Sequence, residues 1–239
     1  MNKLKSIKMP RLKLASLFLA VLLLFLWVLN SLAQESQENK IDISALTQET
    51  QKMQQQADQM TLVWWIPEEF WWVSSAQNPT VTKAQTENLI DVLRPYILII
   101  IVDGNIGPFG GVTYKPEAEI RAGIQIKDSR GNYYHPLSED KIDADTKNFL
   151  SIMKPIFVNM LGPMGQNMHF FLFPAEDKNA RRIAQAKKQG AFSVKLDERE
   201  FRWRLPLGSL LPPKTCPGCK EDCSGAWNFC PWCGTRLPK

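Results

Sequence analysis

Cys216, Cys219, Cys230 and Cys233 are the side chains best placed by type and spacing to do chemistry. They form two C-x-x-C pairs, Cys216-Pro217-Gly218-Cys219 and Cys230-Pro231-Trp232-Cys233, followed by Gly234. A C-x-x-C turn presents two sulfurs at once. Two such turns facing each other complete a closed tetrahedral shell of four thiolates. Pro217 and Pro231 stiffen the turns, and Gly234 permits the positive φ that a tight turn often requires. A segment this short cannot build a core of its own without metal or crosslinks. On spacing alone zinc ranks ahead of disulfides, and iron on four sulfurs is a third option. A redox pair ranks lower still, because no strand-to-helix unit surrounds either C-x-x-C.

This pattern resembles a zinc ribbon with C-P-x-C-G knuckles, over about a tenth of the chain. The resemblance implies one structural zinc on Cys216, Cys219, Cys230 and Cys233, a staple with no chemistry of its own. The first knuckle departs from the pattern, with Lys220 where glycine is usual. Cys223 is a fifth cysteine, either a spare thiol or a replacement for Cys219. Trp227, Phe229 and Trp232 are expected to give the ribbon a small apolar face.

Elsewhere the candidates are scattered. Glu68 and Glu69 are adjacent carboxylates among Trp64, Trp65, Phe70, Trp71 and Trp72. Adjacent residues seldom converge on one site, so helix-start charges are the expectation. The aromatics are expected to divide between core and an exposed interface, with a sugar-stacking platform as a weaker alternative. Asp103 ends an apolar run and precedes a loop containing Gly104, Gly107, Gly110 and Gly111. That loop lacks both Gly-Lys-Ser/Thr and G-x-G-x-x-G, so a turn is expected rather than a phosphate cradle. His135 and His169, the only histidines, read as ordinary strand residues.

The elements that must hold these residues can be read in order. Thr61 to Ile66 is a strand, and Glu68 to Val73 a helical turn after Pro67. Thr82-Lys83-Ala84-Gln85 is a capping box opening a helix whose buried side is Val81, Leu89, Val92 and Leu93, ended by Arg94-Pro95. Tyr96 to Val102 is an unbroken β-branched run, a central strand covered on both faces and closed by an Asp103-Gly104 turn. Ile120, Ala122, Ile124 and Ile126 alternate as a half-exposed strand, turned by Asp128 to Gly131 into Asn132 to His135. Ile142, Phe149, Ile152, Met153, Ile156, Phe157 and Met160 recur at helical spacing, a helix from about Asp143 to Leu161 kinked at Pro155. Met168 to Phe173 is a strand. The basic run from Lys178 to Lys188 reads as a solvated helix face. Phe192 to Leu196 and Phe201 to Leu205 form a second hairpin. These elements predict an α+β domain, mainly antiparallel sheet with helices packed on one side. The alternative is a β-sandwich with inserted helices.

The chain of 239 residues carries a net charge of +5. Lys3, Lys5, Lys8, Arg11 and Lys13 supply all of it, and the remainder is neutral. A neutral body lacks the positive footprint of a general nucleic-acid binder. The basic run leads into the apolar stretch Leu14 to Leu29, so residues 1–33 read as a signal peptide cleaved after Ala33 or as an uncleaved membrane anchor. Either places the body outside the cytoplasm. Residues 34–60 read as a polar, glutamine-rich linker, partly helical. Residues 61–213 are the α+β domain and 214–239 the ribbon, docked close by the proline-rich join.

The expected function is that of an exported or membrane-anchored cell-envelope binding or assembly protein, with a protein partner, no nucleic acid and one structural zinc. The alternatives are an enzyme of unfamiliar type, with Asp103, His169 or Glu68 in a Trp-lined cleft, and a cytoplasm-facing regulatory ribbon. No G-x-S-x-G, H-E-x-x-H or P-loop is present.

Overall fold

The structure, a computed structural model, describes residues 41–238. The N-terminal segment read as a signal or anchor lies outside the described residues. Among the described residues no helix is long and apolar enough to cross a membrane.

The frame is a hairpin-like pair of long strands, β2 (Gln59–Ile66) and β3 (Tyr96–Ile106), antiparallel from Gln59 opposite Asn105 to Ile66 opposite Leu98. β1 (Gln51–Gln55) adds to the free side of β2. The other side of β3 is shared. Its first half pairs with β7 (His169–Pro174) and its last residues with β4 (Val112–Tyr114). A second antiparallel sheet runs in the order β6 (Tyr133–Tyr134), β5 (Ile124–Asp128), β8 (Gly190–Leu196), β9 (Arg199–Leu205). The architecture is α+β, with open antiparallel sheets as expected.

Successive side chains on a strand point to opposite faces, and here both faces of β2 are covered. Trp64 points to the helices. Its ring meets Phe70 of α2 (Glu68–Ala76) and Phe157 of α5 (Ala144–Leu161) edge-on, both at 5.5 Å. Trp65 points to the second sheet, 4.7 Å from Phe192 and 6.4 Å from Trp203, which stack on each other at 5.0 Å. Trp64, Trp65, Phe70 and Trp71 are all buried. No exposed platform forms there, because a strand buried on both faces and the helix beside it absorb the aromatics. Ile97 to Val102 in β3 are buried for the same reason.

Several expectations need correction. The strand β3 does not stop at Asp103-Gly104 but runs on to Ile106. Gly104 is needed there for space, since a Cβ would lie 2.9 Å from Val112 Cγ1 and 3.1 Å from the Thr113 carbonyl of β4. Residues 41–60 are not a linker: α1 (Ile43–Thr50), capped by Asp42, leads directly into β1. Leu46 is fully buried. Glu49 anchors α1 to the far end of the chain, accepting from the Gly208 and Ser209 amides at 2.9 and 2.8 Å. The alternation at Ile120 to Ile126 is half helix. α4 (Glu117–Gly123) starts after Pro116, and only Ile124 onward is strand. The basic run from Lys178 forms no helix, and it follows turns whose lead-in is fixed by Asp177, which accepts from the Asn179 and Arg181 amides.

The capping box at Thr82 is present and opens α3 (Lys83–Leu93). The buried side of α3 is Thr86, Ile90 and Leu93, rotated from the face read in the sequence. α5 runs through Pro155 and is followed by the short α6 (Pro163–Gln166).

Candidate metal centre and the other candidate residues

The ribbon follows the turn Gly208–Leu210, with β10 (Lys214–Thr215) paired to β11 (Asp222–Cys223). It is seated by backbone-close contact: a Cβ on Gly225 would lie 2.4 Å from the Pro212 carbonyl oxygen. Lys214 Nζ donates to the Trp227 carbonyl at 3.0 Å.

Its two C-x-x-C turns repeat one geometry. The Lys220 amide donates to the Cys216 carbonyl at 3.0 Å, and the Gly234 amide to the Cys230 carbonyl at 2.9 Å. The Cys216 amide donates to Glu221 O at 2.9 Å, and the Cys230 amide to Thr235 O at 2.8 Å. The fifth position of each turn is left-handed, with φ of 65° at Lys220 and 72° at Gly234. Lysine in place of glycine therefore leaves the first knuckle's shape intact. Its Cβ carries the steric cost that glycine avoids.

The consequence is a four-sulfur cluster. Cys216 Sγ and Cys233 Sγ lie 3.5 Å apart, Cys219 Sγ and Cys230 Sγ 3.6 Å, and all four lie within 4.8 Å of one another. A tetrahedron with metal–sulfur bonds of about 2.3 Å has sulfur–sulfur edges of roughly 3.8 Å, so the donor set fits a four-coordinate metal ion. The protonation chemistry points the same way. Hydrogen bonding to Thr235 holds Cys233 down to about 6. Cys219 accepts a backbone hydrogen bond from Glu221 that lowers its pKa, yet burial and the neighbouring thiols push it up to about 12. Four sulfurs this close cannot all ionise without a cation among them, and a metal ion would expel the remaining protons.

Cys223 is not a member of this cluster. It packs with Cys216, Cys230 and Leu237 in the ribbon's small buried core. The ribbon's aromatics do not join that core. Trp227, Phe229 and Trp232 are 43%, 60% and 71% exposed.

Asp103, expected in a turn, is buried between the sheets. It receives Arg199 Nη1 and Nη2 at 2.8 Å each and the Thr61 hydroxyl at 2.7 Å, with Lys115 Nζ 3.2 Å away. Burial pushes this carboxyl up, but Arg199, Thr61 and Lys115 outweigh it and hold it below the ordinary carboxylate value. His169 stands nearby, its Nε2 3.3 Å from the Lys115 carbonyl, and burial lowers its pKa. Neither Asp103 nor either histidine lines either of the two best-formed clefts among the described residues. Asp103 is committed to a structural ion pair, and His135 is exposed on the second sheet's edge. Of the scattered enzyme candidates, Glu68, with its neighbour Glu69, lines one of these two clefts.

A further carboxylate escaped the sequence reading. Asp128 at the end of β5 accepts from the amides of Arg130 and Asn132 at 2.9 Å and from the Asn132 side chain and Tyr134 hydroxyl at 2.9 and 3.0 Å. Burial would raise its pKa. The Asn132 and Arg130 hydrogen bonds prevail and hold it at about 2. Its signal was the Asp-x-x-x-Asn spacing across the turn.

No protein family, curated protein or solved structure matches the chain. The four-cysteine cluster is therefore the firmest guide to its chemistry.

Proposed function

We propose that the protein is an exported or membrane-anchored binding or assembly protein of the cell envelope, whose ribbon is closed by one structural zinc and docks a protein partner. One observation carries the reading. The four sulfurs form a closed donor set with no position left for substrate, while Trp227, Phe229 and Trp232 stand exposed around it. Exposed aromatics on a rigid support are typical anchors of protein interfaces. The basic, then apolar, N-terminal sequence supports the address.

The test is anaerobic purification of the native protein from its own cell fraction. The expected result is about one zinc per chain, reduced ligand cysteines, and a cross-linked envelope protein that is lost in Trp232→Ala/Phe229→Ala. A metal-free protein with oxidised cysteines would overturn the zinc. Protease protection that places the ribbon in the cytoplasm would overturn the address and favour the regulatory alternative.

A further inference from the structure

A cleft of about 230 Å³ opens between the start of α2, the end of α3, the start of β3 and the segment 175–188. Its walls include Ile66, Pro67, Trp71, Leu93 and Ala186. Glu69 also lines it, in the first turn of α2, and is only 8% exposed. Among the described residues no other side chain hydrogen-bonds or ion-pairs with its carboxylate.

Its neighbour differs. Glu68 Oε2 lies 3.6 Å from Arg182 and 4.0 Å from Arg94, and Arg182 also donates to the Arg94 carbonyl at 2.6 Å. The two guanidinium groups are thus engaged by Glu68, Asp91 and backbone. Among the described residues Glu69 makes no ion pair: burial, the largest influence, pushes its pKa up, while its own amide and the more distant charges of Lys187 and Arg182 offset this only in part. A buried carboxyl with no ion pair is costly, and such groups concentrate at functional sites. At the rim stand Lys187 and Lys188, both exposed and neither in an ion pair among the described residues.

The cleft therefore has an acid without an ion pair in its wall, apolar sides, and lysines at its rim that reach the acid only through longer-range attraction. One carboxylate is too few oxygens for a dedicated metal cage. The volume is below the range of roughly 300–1,000 Å³ typical of sites for drug-sized ligands, which fits a molecule of amino-acid size. We propose that this cleft binds a small organic ligand carrying an ammonium group for Glu69 and an anionic group for Lys187 and Lys188. The site is separate from the ribbon and stands or falls without it.

The experiment is calorimetric titration of the zinc-loaded full chain in detergent micelles. The probes are O-phosphoethanolamine and γ-aminobutyrate, with ethylamine and inorganic phosphate as single-charge controls. At least one two-charge probe should bind about tenfold tighter than either control. Glu69→Gln should weaken it roughly tenfold without lowering Tm, because the substitution removes a buried charge. Lys187→Ala/Lys188→Ala, on the exposed rim, should weaken it severalfold and leave the fold intact. Absence of binding by both two-charge probes up to ~10 mM would overturn the proposal, as would affinity indifferent to Glu69→Gln. Should Glu69→Gln lower Tm, the rim variant decides, and undiminished affinity there overturns the proposal.

Discussion

The body and the ribbon use aromatic residues in opposite ways. In the body, Trp64 and Trp65 are buried on opposite faces of one strand, and each is met edge-on by aromatic rings from a different layer. In the ribbon, Trp227, Phe229 and Trp232 face solvent, and the buried core is Cys216, Cys223, Cys230 and Leu237. The difference follows from size. A two-sheet body with helices on one face has the surface to enclose large rings. A segment of some two dozen residues does not, and must take its stability from ligands. Aromatics that are not needed for packing are then free to be displayed.

The comparison can be broken most severely by removing the proposed zinc. Chelation under reducing conditions should unfold the ribbon, since structural zinc in small domains contributes about 10–16 kcal/mol. The body should keep its far-UV circular dichroism and its cooperative melt. Loss of the body's transition on chelation would show that the two regions are one cooperative unit. Substitution of an aromatic in each region is the next test. Trp65→Ala should cost about 3–5 kcal/mol in denaturant unfolding, and Trp232→Ala should lie within about 0.5 kcal/mol of wild type. Equal effects would erase the distinction.

Acid loosens metal binding by the thiolates, so its effect on the body is read from the body's own unfolding transition. The Asp128 carboxyl is held at about 2 in the folded protein, below its ordinary 3.8. Its contribution is therefore present above the unfolded value and is lost as pH falls through the folded one. The shift is worth about 2 kcal/mol. Stability measured from pH 5 down to pH 2 should fall less steeply by that amount in Asp128→Asn. The smallest effect sharpens the view of the ribbon. Lys220 at φ 65° is strained where Gly234 at φ 72° is not, so Lys220→Gly should stabilise the zinc-bound ribbon by about 1 kcal/mol. A destabilised Lys220→Gly would mean that the lysine side chain makes a compensating contact.

Legibility divided along the same line. The four-cysteine cluster was readable because ligand spacing is local, and the structure brings together the cysteines that the spacing picked out. The long strand at Tyr96, the capping box at Thr82 and the α+β class were readable from periodicity and local chemistry. What failed depended on distant partners. Asp103-Gly104 has the local signature of a turn, and it becomes a buried strand position through pairing with β2 and β4 and through Arg199, far along the chain. Residues 41–60 are polar enough to read as a linker. Leu46 is buried because α1 packs against α2, the first strands and the turn at Gly208, and Glu49 finds its partners only where the chain near Gly208 returns to meet it. The aromatic cluster looked too dense to bury because one covered face was assumed where the strand has two.

The contact between Glu49 and the Gly208–Ser209 turn has a temporal side. Glu49 cannot find these amides until some 160 further residues have been made, and Trp203 Nε1, which donates to the Glu49 carbonyl at 3.1 Å, comes only slightly sooner. β5 likewise waits for β8. Pairings of such long sequence separation form slowly, after loop closure has been overcome. During synthesis α1 and the first strands must therefore persist as an unfinished edge. α1 and the Gly208–Ser209 turn are fixed in the same late step.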